Sequence, residues 1–472
     1  MTDIQRESLC HDPIHGYIPF VSIVEPGETS ERSLLDHPWL QRLRQIHQLQ
    51  TAWWVYPSAE HTRFQHVVGT MHMASRAVGA LYESLAEVCQ DVPSRGYVEC
   101  TMRMAALLHD VGHGPFGHFF DAHFLSHHPL PDGSRLNHEK LGAHIIQHEL
   151  GDMLRGLRRC PESQLAPGEQ LDPAEIAWLI QRPTEGDAEQ PRWLAMLRSL
   201  FCGLYTVDNM DFVLRDAFMS GYSPRAYDLD RLLRYSFFSP RGLTIHHRGL
   251  NALIRFMQTK SELFRAVYFH RTVRAIDKTL EELFRDSKAL LFPGNPLDHL
   301  AEYRQFTEWS LLVDVARWHA SRDGQQRALG ERWQRLLRRQ LDWEAVYERN
   351  LTFSANDAEQ TSIFSDPEAV ERLLRKKMPA ELRDVDLQID LPRHIYRPHS
   401  GKASAGQNFL LRGATGEIRP LTDDQLFRQL PVTHRMCRVY LRNGAPPEQA
   451  AAVSAALDAL VGAGGEDDLT NM

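Results

Sequence analysis

The chain has little cysteine: six residues in 472, at Cys10, Cys89, Cys100, Cys160, Cys202 and Cys437. None forms a CxxC pair, which argues against a zinc ribbon, and scattered single thiols fit a reducing compartment. No apolar run approaches the roughly 18 residues a bilayer-spanning helix needs. The opening MTDIQRESLCHDPIHGYI lacks the basic-then-apolar order of a secretory signal. Positive charge is not in excess, the formal net charge being −8. Nucleic-acid binding is therefore not favoured, and any anionic ligand must be met by a local basic cluster. These absences lead us to expect a cytoplasmic chain with no membrane partner. Its hydrophobic share of 43% is enough for a large core, and its length suggests two or three domains.

Histidine is what the chain has in abundance. There are 24, and nine fall between His109 and His148. The densest chemistry lies in Met102–His118, MRMAALLHDVGHGPFGH. An apolar helical run carries His109 and Asp110 to its C-terminal end, and Gly112, Gly114, Pro115 and Gly117 stop it. An imidazole beside a carboxylate at a buried helix end suits a metal site, though an isolated pair would sooner be read as a core His beside a capping Asp.

Periodicity predicts helices over Ser30–Gln48, Arg63–Leu85, Val98–Leu108, Phe116–Phe124, His138–Leu150, Pro173–Gln181, Trp193–Tyr205, Thr206–Phe218 and Leu250–Phe284. A polar loop is expected at Arg182–Pro191, and strands near Tyr17–Ile23 and Arg241–Ile245. Pro293-Gly294-Asn295-Pro296 is the expected domain break. It divides residues 1–290 from a mostly helical region, 291–472, with strand-like runs at Asn408–Leu411 and Arg438–Leu441. On this reading His66 opens one helix, His109 and Asp110 close another, and Asp208 begins a third. Asp208, Asp211 and Arg215 share a face. Two histidines and two aspartates on helices leave open positions on a six-coordinate ion for water and a phosphate oxygen.

The pieces DPIHGYI at Asp12, QRLRQIHQL at Gln41, HTRFQHVVGT at His61, LLHDVGHGPFGHFFD at Leu107, NHEKLG at Asn137 and VDNMDFVLRD at Val207 occur in one order. In this the chain resembles the HD-domain phosphohydrolase superfamily, whose signature is H…HD…D. It is most similar to the deoxynucleoside triphosphate triphosphohydrolases that carry a sterile-alpha-motif domain, here without that domain. The resemblance covers roughly residues 10–285, with FRAVYFHRTV at Phe264 a weaker piece. It implies a mainly α-helical HD fold, with a helical C-terminal region carrying small β elements. It also implies hydrolysis of dNTPs to deoxynucleoside and triphosphate. Hydrolysis of another nucleotide or of a nucleic-acid end, and regulatory nucleotide binding with weak or no turnover, are the alternatives.

Carried over onto this chain, the resemblance implies that His66, His109, Asp110 and Asp208 hold a divalent ion, which could be Mn, Fe, Mg or Zn. His138 corresponds to the histidine beside the scissile phosphate, a general acid. His113 and His118 line the phosphate path, and Asp121 pairs with such a histidine. Arg63 corresponds to an α-phosphate contact, Gln48 and Leu49 flank the deoxyribose, and Tyr268 lies near the nucleotide. The chain departs from the family's lysine and tyrosine after Asp208, where it has Asn209 and Phe212. Lys260 stands where the family places a phosphate-contacting arginine. The resemblance further implies a homo-oligomer assembled around a nucleotide effector. Asp36, Gln41 and Arg44 match guanine-reading positions, and His270-Arg271 a basic pair near effector phosphates. An ion pair within one helix is the plainer reading of Asp36 and Arg44. His123, His127, His128, His144 and His148 read as solvated loop and helix positions.

Overall fold

The computed structural model describes residues 3–182, 190–353, 362–396 and 410–462. It is mainly α-helical with small sheets. The chain divides into two compact units. The described residues of Met1–Leu263, Ser287–Val315 and Lys402–Phe427 form the first, and those of Phe264–Asp286, Ala316–Gly401 and Arg428–Met472 form the second.

The first unit begins with an antiparallel hairpin, Glu7–Asp12 against Gly16–Val21. Asp12 shapes its turn by accepting the N–H groups of Ile14 and His15 at 2.9 Å, and Gly16 takes a φ of +73° there. The helix Arg63–Val88 follows, and Gln65 in its first turn accepts the Thr62 N–H at 2.8 Å. Helix Arg95–Leu108 packs along it and is buried from Gly96 to Leu108, as its apolar sequence requires. Helix Val207–Met219 packs on the same long helix, and Leu250–Leu263 packs on Val207–Met219. A four-stranded sheet runs in the order Ile418–Pro420, Leu410–Arg412, Gly242–His246, Ser236–Ser239.

The second unit is a sheet covered by helices. Its central strand, Thr433–Arg442, pairs antiparallel with Trp343–Phe353, Leu387–Asp390 and Arg393–Ile395, with a bulge at Val439/Tyr440. Val370 and Leu374 of helix Pro367–Lys377 meet Val439 and Leu441, together with Val453 and Leu457 of helix Pro447–Gly462.

Several expected elements are cut differently. Ser30–Gln48 is three short pieces, Glu31–Leu35, Pro38–Gln41 and Arg42–Gln45. His37 before Pro38 is extended, as a residue preceding proline prefers, and its ring accepts the Trp39 N–H. The Leu250–Phe284 helix loosens into a π turn at Phe264–Tyr268 and restarts at Arg271. Past Leu337 the chain turns through Arg339 at a φ of +56° and enters a strand. The short helix Leu229–Arg234 was not expected. Of the loop at Arg182–Pro191, residues 183–189 lie outside the described residues, as do residues 408 and 409 of the Asn408–Leu411 run.

The compact units do not divide at residue 290, because Ser287–Val315 packs with the first. Buried Arg42 explains this. It donates to the carbonyls of Val111 (3.3 Å) and His113 (2.7 Å), and to those of Tyr303 (3.3 Å) and Phe306 (2.9 Å). The Tyr303 hydroxyl donates to the Gly112 carbonyl at 2.9 Å. A loop rich in buried backbone carbonyls needs such donors, and part of the supply lies beyond the Pro293–Pro296 turn.

Candidate metal centre

His66 sits in the first turn of Arg63–Val88, His109 caps Arg95–Leu108, and Asp208 opens Val207–Met219. His66 Nε2 lies 3.1 Å from Asp208 Oδ1 and 4.0 Å from Asp110 Oδ2. His109 Nε2 lies 3.3 Å from Asp110 Oδ1 and 3.8 Å from Asp208 Oδ1. The four expected donors therefore converge, although they come from three separate helices.

In its neutral form each ring presents a lone pair to this point. The His66 Nδ1–H donates to Asp211 Oδ2 at 2.8 Å, since a carboxylate can only accept. The His109 Nδ1–H donates to the Ala106 carbonyl at 2.8 Å. Each Nε2 is then unprotonated in the neutral ring, buried and without a hydrogen bond. Two orphaned imidazole nitrogens facing two carboxylates fit a divalent ion. The carboxylates also compete for protons. Burial opposes charge on His66, but Asp208 and Asp211 outweigh it and lift its pKa to about 10. Burial likewise opposes ionisation of Asp110, yet His109, Arg63 and His113 hold it well below the usual carboxylate range.

A second cluster adjoins the first. His113 is fully buried, with Nε2 3.4 Å from Asp110 Oδ1 and Nδ1 3.7 Å from Asp121 Oδ2. It stacks on His138 with ring centroids 3.7 Å apart. The His138 Nδ1–H donates to Asp121 Oδ2 in a short hydrogen bond, and exposed His118 places Nδ1 3.4 Å from the same oxygen. The two buried rings titrate in opposite directions. Burial, helped by Arg63 and His138, pushes His113 well below its usual value. Burial acts the same way on His138, but Asp121 overcomes it and raises the pKa.

Arg63 spans the two clusters and donates to Asp110 Oδ2 at 2.5 Å. Gly117, at a φ of +55°, leaves room for it, since a Cβ there would come within 2.2 Å of Arg63 Nη2. A Cβ on Gly112 would come within 2.1 Å of the His138 carbonyl, so this glycine lets the loop reach the His138 helix.

The remaining expected residues lie in varied settings. Leu49 is buried, and Gln48 Oε1 is buried without a hydrogen-bond partner. Lys260 Nζ lies 5.7 Å from the centre of the Phe212 ring. Burial lowers the Lys260 pKa to about 8, with Asp208 resisting. Asn209 is drawn into the helix cap, where its amide donates to Thr206 Oγ1 at 2.5 Å. Tyr268 lies in the second unit, edge-on to Phe264. Asp36 pairs with Arg32 at 3.4 Å, while Arg44 bonds Gln41 and lies over Phe64, so Asp36 and Arg44 do not form the ion pair of the plainer reading.

A family model described as the HD domain matches residues 63–186, which contain His66, His109, Asp110 and His138. Residues 63–186 of this chain are thus similar to the HD domain. The chain is 26% identical over 435 residues to the uncharacterized protein YwfO of Bacillus subtilis, covering 89% of this chain and 88% of that one. It is 27% identical over 296 residues to the human deoxynucleoside triphosphate triphosphohydrolase SAMHD1, covering 60% of this chain and 45% of that protein. The match thus spans under half the length of that relative. A crystal structure of a hypothetical protein from Aquifex aeolicus shares the fold, with a TM-score of 0.68 at 21% identity over 95% of this chain and all of that one. Among the described residues, no helix is long and apolar enough to cross a membrane.

Sequence reasoning placed Asp211 and Arg215 on the Asp208 face without giving them a task. It also gave none to Arg42, Tyr303 or Glu308. Fully buried Glu308 accepts from His47 Nδ1 (2.8 Å), Trp53 Nε1 (3.0 Å) and the Phe116 N–H (3.4 Å). The signal for the first pair was the three- and four-residue spacing. Nothing local marked the others.

Proposed function

We propose that this HD-domain chain is a metal-dependent phosphohydrolase that cleaves dNTPs to deoxynucleoside and triphosphate. The observation that carries the reading is the convergence of His66, His109, Asp110 and Asp208, with the His138–Asp121 pair one ring-stack away. The similarity to deoxynucleoside triphosphate triphosphohydrolases supports the choice of substrate. A divalent ion held by the four ligands supplies Lewis-acid polarisation and neutralises phosphate charge.

The chain's own residues supply the rest. Arg63, already against Asp110, offers its guanidinium to the α-phosphate oxygens. Water attacks the α-phosphorus and the bond to the 5′ oxygen breaks. His138 holds a proton on Nε2 and gives it to that departing oxygen, while Asp121 holds Nδ1–H and keeps the ring charged and oriented. His113 stays neutral, packs against His138 and excludes water from its face. His118 lines the phosphate path, and Gln48 and Leu49 flank the sugar. Lys260 over Phe212 supplies the cation that Asn209, turned into the cap, does not.

The same reading includes a homo-oligomer and a nucleotide effector. A cavity of about 790 Å³ in the second unit supports the effector, since Arg271, Arg339 and Arg335, the last paired with Asp342, line it beside Glu344. The test is purified protein with Mn²⁺, Mg²⁺ or Fe²⁺ against dNTPs, NTPs, monophosphates and short oligonucleotides. Each is assayed with and without added dGTP, and the subunit number is followed by light scattering. Equimolar deoxynucleoside and inorganic triphosphate is the expected result. Release of pyrophosphate or orthophosphate from dNTPs, or turnover confined to other phosphoesters, refutes it.

A further inference from the structure

We propose that Asp211 is a positioning residue for the metal ligand His66, and that the N-terminal hairpin turn, through Asp12 and His15, completes its setting. The inference rests on reading His66 as a metal ligand. It gives the DPIHGYI stretch a task that the proposed chemistry leaves empty.

Asp211 is fully buried and uses both oxygens twice. Oδ2 accepts from His66 Nδ1 (2.8 Å) and Arg215 Nε (2.9 Å). Oδ1 accepts from His15 Nε2 (2.7 Å) and Arg215 Nη2 (2.9 Å). Arg215 also donates to Asp12 Oδ2 at 2.8 Å. The two carboxylates outnumber the one guanidinium, so the assembly behind His66 carries net negative charge when both are ionised. A fully bonded carboxylate on Nδ1–H fixes the neutral ring's proton on Nδ1, leaving Nε2 as the metal-facing nitrogen, and strengthens it as a donor.

An ion network built only for stability need not touch His66. Here the His66 helix is cut away to admit it. A Cβ on Gly69, one turn along from His66, would lie 2.0 Å from Asp211 Oδ1 and 2.3 Å from Arg215 Nη2. Only glycine at that position allows the carboxylate to reach the imidazole as it does. Asp12 and His15 come from a turn that Asp12 itself shapes, so the hairpin brings an anchor for Arg215 and a donor for Asp211 to the same point.

The test measures metal affinity rather than turnover, by chelator competition with Mn²⁺ on the full chain, for wild type, His66→Ala and Asp211→Asn. The expected result is affinity lowered 10–100-fold in Asp211→Asn and further in His66→Ala. Asp211→Asn within twofold of wild type, with His66→Ala impaired, overturns the positioning role alone. Equal affinity in wild type and His66→Ala removes the metal-site reading beneath it. Because Asp211→Asn can fail to fold, the wild-type protein supplies a second measurement. Long-range ¹⁵N spectra of ¹⁵N-histidine protein with Zn²⁺, with His66 assigned by His66→Gln, should show Nδ1 protonated and Nε2 on the metal. The opposite tautomer overturns the proposal.

Discussion

Replacing Asp121 by Asn isolates the charge that supports His138. The amide oxygen still accepts the His138 Nδ1–H, so geometry is kept and only the ionic component goes. A hydrogen bond to a charged group contributes about 1.5–3 kcal/mol and a neutral one about 0.5–1.5 kcal/mol. The loss of roughly 1–1.5 kcal/mol is about one pKa unit on His138. The sign follows from the role. His138 must be protonated to serve as acid, and its folded pKa is raised, so activity falls as pH rises through that value. With Asp121→Asn the alkaline fall of kcat/KM should move about one unit lower in pH. Above both limbs the variant should be roughly tenfold slower, and well below them nearly unchanged. Triphosphate release from a dNTP, followed across pH with saturating metal, reads this directly. A limb that stays in place, or a loss equal at all pH values, refutes His138 as the acid tuned by Asp121.

His66→Ala and Asp110→Ala should lose the ion and lower turnover by orders of magnitude, whereas His138→Ala should keep it and slow the reaction by roughly 10²–10⁴-fold. Metal analysis beside rate measurements separates the two classes, and equal metal loss in all three contradicts the division of labour. Phe212→Tyr puts a hydroxyl beneath Lys260 and should raise kcat/KM for dNTPs relative to other phosphoesters. A contact to a charged group of about 1.5–3 kcal/mol sets the ceiling at roughly tenfold to a hundredfold, and an unchanged ratio means the ring faces away from substrate. Glu308→Gln should destabilise the fold by about 1.5–3 kcal/mol, most strongly at low pH. Burial lowers the His47 pKa, but Glu308 and Glu60 raise it above the unfolded value, so that pair's stability is full below the unfolded pKa and lost as pH rises through the folded one. Thermal melts at pH 6 and pH 9 check it, and a pH-independent deficit contradicts it.

The convergence of His66, His109, Asp110 and Asp208 was readable because each sits at a helix end and the resemblance named it: a glycine run follows Asp110, and Thr206 precedes Asp208. What could not be read was long-range. His15 and Asp211 are 196 residues apart, and no local spacing joins them. Arg42 and Tyr303 meet the Gly112 loop only after the chain has folded. Helix limits failed for a different reason. The π turn at Phe264–Tyr268 contains neither glycine nor proline, so the pattern ran straight through it, whereas Pro38 was in view and lost to the apolar spacing around it.

The grip of Tyr303 and Arg42 on the Val111–His113 carbonyls sets an order of events during synthesis. A domain forms as its residues leave the ribosome, N-terminal parts first. His66, His109, Asp110 and Asp208 have all emerged about a hundred residues before Tyr303, so on the proposed reading a nascent chain has its four ligands early. The loop that carries His113 waits for the Leu300–Gln305 helix to clamp it. On the proposed reading, a chain arrested between these two points would have its four ligands together while the histidines beside them are not yet held.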